Sequence, residues 1–369
     1  MGTKALRNRQ KNAVPTDFGL AVECCRWVNE PARAQAIAEA AAIVDWPAFL
    51  VTVERHRVTG LAWNALQSLG LPVPEAVQSV LSGRSNAIAA HGLHSAVQSA
   101  ALSAALDRVA IPHLFVKGLP VGALAYSAPF IKHSWDIDLL VEGNRIEEAA
   151  ALLDKTGFDL VFPDIGSDWT RLARWHRIQK DSAWGHRDTG LMVELHSRLA
   201  DNPLLIPSIG LSSPQQRVSI ADGIGLTTLA WPELFAHLCV HGASSAWFRL
   251  KWISDLAALL VRSGGDFEEL YQSSQRLGAG RAAAQALLLA HRLFGIDIDD
   301  KLLRSLTSSA ANRRLARIAL NQLLAPEPGS RMFGTATIHL SQFLLLPGTG
   351  FKAVEARRQA ATALSNVFA

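Results

Sequence analysis

The spacing of hydrophobic positions divides the chain into two helical regions with a stretch of alternating strand and helix signals between them. Residues 16–110 have helical periodicity, and the Ala-rich segment 31–44 has a proline in its first turn and no glycine, as in stable helices. Residues 74–110 predict one long helix or two stacked helices. Helical periodicity returns at about residue 226 and continues to residue 369. The pattern predicts an α+β fold that is mostly helical.

Strand signals lie in the middle of the chain, between residues 111 and 205. The apolar runs at 113–118 and 136–141 predict two buried strands, with a short helix at 119–126 between them. The next elements are a helix capped by Asn144 and stopped near Gly157, and two strands at 177–184 and 190–199 joined by a turn at Asp188 and Gly190. This order predicts a small mixed sheet.

The length of 369 residues favours two or three domains. Prolines and glycines between residues 203 and 214 predict a linker. The expected segments are a flexible basic arm at 1–15, an N-terminal helical region at 16–110, an α/β core at 111–205 and a C-terminal helical domain at 226–369 that covers the cleft of the core.

The charge balance disfavours one class of function. The chain has 36 Lys and Arg against 32 Asp and Glu, and the first twelve residues carry four of the basic side chains and no acid. The remaining residues are therefore neutral overall, which disfavours a polycationic nucleic-acid binder. Hydrophobic residues make up 49% of the sequence, enough for a large core.

The sequence favours a cytoplasmic location. Cys24, Cys25 and Cys239 form no framework of spaced pairs, as expected in a reducing compartment. The basic, polar start of the chain does not resemble a secretory signal, and no run of 18 apolar residues predicts insertion into a membrane.

The most informative feature is the pair Asp136 and Asp138 in the run Asp-Ile-Asp-Leu-Leu-Val. Side chains alternate between the two faces of a strand, so both carboxylates point to one face while Ile137 points to the other. Two carboxylates in an otherwise apolar strand repel each other unless a cation lies between them. A solvated surface strand is the alternative, but the apolar neighbours favour a divalent metal site.

Glu194 offers a third carboxylate between Val193 and Leu195 on another predicted strand. If that strand lies beside residues 136–141, the three carboxylates come together. Such a set holds one or two magnesium ions and leaves open positions for substrate phosphates. The alternative is an exposed glutamate, which many strands carry.

Lys117 and Gly118 end the first strand just before a predicted helix. Glycine permits close backbone approach, and a helix N-terminus offers free N–H groups to an anion. Lys117 would add a charge for phosphate. The segment lacks the P-loop pattern, and an ordinary strand-to-helix turn is the alternative.

Residues 114–160 resemble the bacterial family of uncharacterised nucleotidyltransferases, which is related to the polymerase-beta-like superfamily. The family pattern is a strand ending in Lys-Gly, a Tyr near a Pro, a basic residue, the strand Asp-x-Asp-Leu-Leu-Val, and a helix followed by Gly-Phe. The matching residues are Lys117, Gly118, Tyr126, Pro129, Asp136, Asp138, Gly157 and Phe158. The basic residue is usually Arg, whereas here Lys132 is nearest, with His133 beside it.

Two later segments extend the resemblance to about residue 262. The family's Asp/Glu-Leu-His-Trp strand matches Glu194-Leu195-His196, with Ser197 in place of Trp. A helical segment of the family matches His241, Gly242, Ala243, Trp247, Arg249, Leu250, Lys251, Trp252 and Asp255.

The resemblance implies a nucleotidyltransferase core and a mechanism. Asp136 and Asp138 would hold Mg²⁺, or Mn²⁺, bound to a nucleoside triphosphate, and Glu194 would complete a second metal position or act as base on the acceptor hydroxyl. Attack at the α-phosphate would move a nucleoside monophosphate to an acceptor and release pyrophosphate. The expected triphosphate-binding residues are Lys117, Gly118, Lys132, His133, His241, Arg249 and Lys251.

Several alternatives stay open. Arg249 and Lys251 fit a solvated helix face with a Lys251–Asp255 ion pair as well as they fit triphosphate contacts. Trp247 or Trp252 could stack on a base, although core packing is the simpler interpretation. The acceptor could be a small molecule, a peptide or an RNA. The fold could instead transfer a phosphoryl or glycosyl-phosphate group, or act as a non-catalytic nucleotide-binding regulator of the antitoxin type.

Overall fold

The protein is described by a computed structural model that covers residues 14–27, 31–325 and 334–368. Almost all of the predicted basic arm at 1–15 lies outside these described residues. The mostly helical α+β fold with a small mixed sheet is confirmed.

Helices form the chain up to the first strand. The segment after Pro74 forms a single helix of 34 residues rather than two stacked helices. The N-terminal helices are α1 (Thr16–Cys25), α2 (Pro31–Ile43), α3 (Trp46–Arg55), α4 (Thr59–Ser68) and α5 (Glu75–Arg108).

The central sheet has five strands in the order β1-β2-β5-β4-β3. Strands β2 and β5 pair in parallel, and the other pairs are antiparallel, so the sheet is mixed. The strands are β1 (His113–Phe115), β2 (Asp136–Val141), β3 (Phe158–Phe162), β4 (Asp181–His186) and β5 (Met192–His196).

The helices within the sheet region differ from the expected pattern at two points. They are α6 (Gly118–Tyr126), α7 (Ile146–Lys155) and α8 (Trp169–Ile178). The strand expected at 177–184 begins only at Asp181, because α8 includes the first two of those residues. Asn144 does not cap α7, since a 3₁₀ turn at Gly143–Arg145 precedes that helix.

A strand pair that the sequence analysis did not predict precedes the C-terminal helices. It consists of β6 (Gln215–Ala221) and β7 (Ile224–Leu229), so helix does not begin at residue 226. The signal was present: Val218 and Ile220 alternate with exposed polar residues. Asp222 and Gly223 supply a typical hairpin turn, with Gly223 at φ +73°.

The remaining described chain is helical. Its helices are α9 (Glu233–Ser244), α10 (Leu250–Ser263), α11 (Phe267–Arg276), α12 (Gly280–Phe294), α13 (Asp300–Ser308), α14 (Ala310–Leu324), α15 (Ala336–Gln342) and α16 (Thr349–Phe368). Within the described ranges, no helix is both long and apolar enough to cross a bilayer. The cytoplasmic location stays a prediction.

Two hydrophobic clusters hold these elements together. One contains side chains of the N-terminal and the C-terminal helices, from Phe18 to Phe351, together with Leu140 of β2. The other contains Ile137, Leu139 and side chains of α7 and β5. The sheet is therefore covered on both faces. The domain boundaries proposed above stay a prediction.

Candidate active site

The register between β2 and β5 brings two predicted carboxylates together. In this parallel pair Asp138 is the Cα partner of Glu194, and Asp136 is the partner of Met192. Paired residues on neighbouring strands point to the same face of a sheet. Asp138 and Glu194 therefore stand side by side, and His196 follows on the same face.

Polar atoms of these residues lie close together. Asp138, Glu194 and His196 each place one possible ligand atom within 4.8 Å of the others. His196 Nε2 lies 3.0 Å from Asp138 Oδ1 and 3.4 Å from Glu194 Oε2. Lys117 Nζ lies 2.5 Å from Asp138 Oδ1 and 3.8 Å from Glu194 Oε2. The two carboxylates are thus bridged by basic side chains.

The contacts to Asp138 fix its charge. Burial alone would raise the pKa of Asp138, but the Lys117 ammonium and the His196 hydrogen bond outweigh it and hold this pKa well below its usual value. Burial would lower the pKa of Lys117 and of His196, whereas contact with Asp138 and Glu194 raises both above their usual values. Asp138 therefore remains ionised although it is buried.

Asp136 is on the same face, but its pKa is shifted in the opposite direction to that of Asp138. It is half-buried and lies outside the tight group of Asp138, Glu194 and His196. Burial, followed by repulsion from Asp138 and Glu194, raises the pKa of Asp136 to about 6. A carboxylate that is held close to other carboxylates in this way gains most from a bound cation.

The Lys117–Gly118 turn lies against the carboxylate strand. Gly118 begins α6 with φ +58°, a conformation that side chains with a Cβ rarely adopt. A Cβ at this position would lie 2.8 Å from Ser134 Oγ and 3.6 Å from the Asp136 carbonyl oxygen. Glycine is therefore required both by its backbone angle and by the close approach of the next segment.

These residues surround a cavity of about 240 Å³ between the sheet and helices α9 and α10. Its acidic lining residues are Asp136, Asp138, Glu194 and Asp255. Its basic lining residues are Arg57, Lys117, Lys132, Lys180 and Lys251. Gly118 and His241 also line it. This density of charge in one cavity is typical of a site for an anionic ligand and its counter-ions.

Helix α10 supplies a buried polar network to the cavity wall. The Tyr126 hydroxyl donates to Asp255 Oδ1 at 2.9 Å, and Lys132 Nζ lies 3.3 Å from Asp255 Oδ2. Both oxygens of Asp255 are thus held by residues distant in sequence, in place of the expected i,i+4 pair with Lys251. Burial and the nearby Lys132 ammonium lower the pKa of Lys251 to about 7.

Two of the predicted triphosphate-binding residues do not line this cavity. His133 lines a second, neighbouring cavity. Arg249 donates to the Arg55 carbonyl oxygen, and its guanidinium lies 5.1 Å from the centre of the Phe248 ring. Their binding roles stay predictions, as does that of His241, whose pKa is lowered well below its usual value by burial and the Lys117 charge.

Three basic residues of the site were not predicted from the sequence. They are Arg57, Lys180 and His196. His196 could have been found, because it stands two residues after Glu194 and so shares its face of the strand. Arg57 lies between α3 and α4, and Lys180 lies between α8 and β4. No local sequence pattern marks either residue as part of the site.

The comparison with protein families matches residues 43–295 to the family described as "Uncharacterised nucleotidyltransferase". The match includes more than half of the chain and every residue that lines the cavity. The chain belongs to this nucleotidyltransferase family. Comparisons with curated proteins and with solved structures each found no match.

The donor set of this cavity fits a divalent metal ion. Asp138 and Glu194 offer the hard oxygen ligands that Mg²⁺ and Mn²⁺ prefer, and Asp136 lines the same cavity. His196 adds a nitrogen, and its Nδ1 is buried without a hydrogen-bond partner. His196 Nε2 contacts Asp138, so this nitrogen would either donate to that carboxylate and orient it or, without its proton, bind the metal itself.

Proposed function

We propose that this protein is a metal-dependent nucleotidyltransferase, related to the polymerase-beta-like superfamily, that moves a nucleoside monophosphate from a triphosphate to an acceptor. The observation that supports this most is the parallel pairing that sets Asp138 beside Glu194, with Asp136 on the same face, in a cavity lined by five basic residues. Family membership supports the same reaction class.

The carboxylates would hold the metal, which we expect to be Mg²⁺ or Mn²⁺. Asp136, Asp138 and Glu194 are the expected ligands, with His196 orienting Asp138. When bound there, a divalent ion would neutralise charge on the triphosphate and on the leaving pyrophosphate.

The basic residues would hold the phosphates. Lys117 lies against the carboxylates, and Lys251 is on the opposite wall of the cavity, on α10. Lys132 is fixed by Asp255, so its ammonium stays in place before a ligand binds. Preorganised charges of this kind stabilise a transferring phosphoryl group without a cost for reorganisation.

The transfer itself forms one bond and breaks one. An oxygen of the acceptor attacks the α-phosphorus, and the bond from that phosphorus to the bridging oxygen of pyrophosphate breaks. The proton of the acceptor hydroxyl goes to a base. Glu194 would accept this proton if it does not bind the metal, because a third of its side chain is accessible.

Labelled triphosphates test the proposal. The protein would be offered each triphosphate, labelled at the α- or the γ-phosphate, with Mg²⁺ or Mn²⁺ and panels of small-molecule, peptide and RNA acceptors. We expect transfer of the α-label with release of pyrophosphate, and loss of transfer in the Asp136→Asn/Asp138→Asn variant. The matched control is Asp164→Asn/Asp297→Asn, which removes two exposed acids elsewhere.

The same assay separates the alternatives. Transfer of the γ-label would show phosphoryl transfer on the same fold and would contradict nucleotidyl transfer. Tight binding of a triphosphate without transfer to any acceptor would support a non-catalytic regulatory module. Unchanged transfer by the Asp136→Asn/Asp138→Asn variant would show that chemistry occurs elsewhere.

A further inference from the structure

A second cavity, of about 210 Å³, adjoins the candidate active site. Helix α5 contributes Ala87 and Ile88 to its wall, and the segment before β2 contributes Trp135. Ser134 lines both cavities, so the two share a wall. Of the residues that line it, only His133 has a role in the expectations above, as a triphosphate-binding residue.

Trp135 presents an open aromatic surface in the second cavity. Its relative exposure is 56%, although most large hydrophobic side chains of the protein are buried. The rings of His91 and His133 are nearly parallel to the indole, at angles of 15° and 21° and centroid distances of 5.4 and 5.9 Å. The 56% exposure shows that these two rings leave a large part of the Trp135 side chain uncovered.

The ring assembly is held in place, and His133 in it is neutral. His91 Nε2 lies 3.2 Å from the carbonyl oxygen of Trp135, which fixes the backbone beside the indole. Burial and the Lys251 charge lower the pKa of His133 to about 3, so this imidazole is neutral. A neutral, flat, apolar surface suits a planar ring better than it suits a phosphate.

The rim of the second cavity provides a hydrogen-bond donor, Arg84, and a hydrogen-bond acceptor, Glu54. Arg84 of α5 contacts Glu54 of α3, and both side chains are largely solvent-exposed. Guanidinium N–H groups donate to ring nitrogens and carbonyls, and a carboxylate accepts from amino groups. These are the groups at the edge of a nucleobase.

The chain between α6 and β2 divides its side chains between the two cavities. Lys132 and Asp136 line the active-site cavity, His133 and Trp135 line the second cavity, and Ser134 lines both. A ligand with one charged part and one flat aromatic part would match this alternation. Trp252 of the active-site cavity is also contacted by two rings, His241 and Phe248, but it is less exposed than Trp135.

We propose that the second cavity binds a nucleobase, stacked on Trp135, of a substrate that reacts in the adjoining cavity. The inference rests on the proposed function, because it assigns the base of a nucleotide substrate to that site. The base belongs either to the donor triphosphate or to a nucleotide acceptor.

Binding of nucleosides that carry no phosphate tests the base site without the chemistry. Calorimetric titration of the full chain in the absence of divalent metal should detect a nucleoside, and Trp135→Ala should weaken its binding by about tenfold or more. Trp135→Phe should recover part of the affinity. As a control, Phe162→Ala removes an exposed aromatic side chain of β3 that does not line this cavity, and it should leave the nucleoside affinity unchanged.

The outcomes separate this inference from the proposed function. Nucleoside binding that survives in Asp136→Asn/Asp138→Asn supports the base site whether or not transfer occurs. Failure of wild type to bind any nucleoside at millimolar concentration, or equal binding by wild type and a folded Trp135→Ala variant, would overturn it.

A competition experiment identifies which substrate carries the base. A non-hydrolysable triphosphate with Mg²⁺ should displace the nucleoside if the donor's base uses the cavity. If nucleoside and triphosphate analogue bind together and only the nucleoside requires Trp135, the occupant is the acceptor's base. If neither requires Trp135, the inference is wrong.

Discussion

The two faces of the central sheet are formed by the same strands, but one face is apolar and the other is charged. Ile137, Leu139, Val193 and Leu195 point to one face and belong to the hydrophobic cluster with α7. Asp136, Asp138, Glu194 and His196 point to the other face, toward the cavity under α9 and α10. One period-two pattern thus builds a core on one side and a reactive surface on the other.

The difference is also one of electrostatic balance. The side chains of the apolar face are buried against one another and need no ligand. On the polar face, burial and neighbouring charges raise the pKa of Asp136 to about 6 and lower that of Lys251 to about 7. Both groups are shifted toward neutrality, and a cation with its phosphate ligand would favour the charged form of each. Substitutions on the two faces should therefore have different consequences.

The largest effect is expected from Glu194→Gln, on the polar face. We expect nucleotidyl transfer to fall about a hundredfold or more, because a metal-binding or proton-accepting carboxylate is lost. The free energy of unfolding should change by less than about 1 kcal/mol, since the new side chain has the same shape. Label transfer and urea denaturation measure the two quantities; a variant that transfers label at the wild-type rate would contradict the assignment.

Leu195→Ala, one residue further along the same strand, should do the reverse. Leu195 is fully buried, so the cavity left behind should lower the free energy of unfolding by about 2–5 kcal/mol. Transfer per folded molecule should stay within a few-fold of wild type. A large loss of activity at full folding would mean that the two faces are not separate in function.

A pair of glycine substitutions sharpens the comparison at the edge of the cavity. Gly118→Ala and Gly166→Ala both place alanine at positive φ, +58° and +60°. Only the Cβ at position 118 meets another group, Ser134 Oγ at 2.8 Å, whereas nothing lies within 4 Å at position 166. Gly118→Ala should therefore cost at least about 1 kcal/mol more in unfolding free energy. Equal costs would show that the contact with Ser134 relaxes freely.

The smallest expected effect is a proton taken up by Lys251 when a triphosphate binds. Because its pKa is lowered to about 7, Lys251 is mostly neutral at pH 8.5 and charged at pH 6. A bound phosphate raises this pKa, so Lys251 should take up close to one proton at pH 8.5 and almost none at pH 6, where a cation bound with the triphosphate should instead release part of a proton from Asp136. The groups that act on this ammonium are Lys132, Asp136, Arg57 and Asp255.

Calorimetry in two buffers of different ionisation enthalpy measures this uptake. Lys251→Met is the control and should remove most of the uptake at pH 8.5. If the variant takes up as many protons as wild type, another group titrates and Lys251 does not face the phosphates.

Much of the fold was predictable because its signals are local. Helical periodicity located most helices, and the apolar runs located β1, β2 and β5. The errors occurred where signals compete: α8 extends to Ile178 into an expected strand. The hairpin at Asp222–Gly223 was missed because its strands lie between the predicted linker at 203–214 and the helical pattern expected from residue 226.

The sequence by itself determined which face each carboxylate occupies. Alternation on one strand places Asp136 and Asp138 together, and the same rule places Glu194 with His196. It also places Gly118 directly after Lys117, at the position where α6 begins. These features depend only on residues that are neighbours along the chain.

Only the tertiary structure decided how those pieces meet. The parallel register of β2 and β5 sets Asp138 beside Glu194, and packing of α10 brings Asp255 to Lys132. The cavity around Trp135 likewise needs α3 and α5 as its walls. Contacts between distant segments depend on the simultaneous packing of many side chains, which no local pattern records.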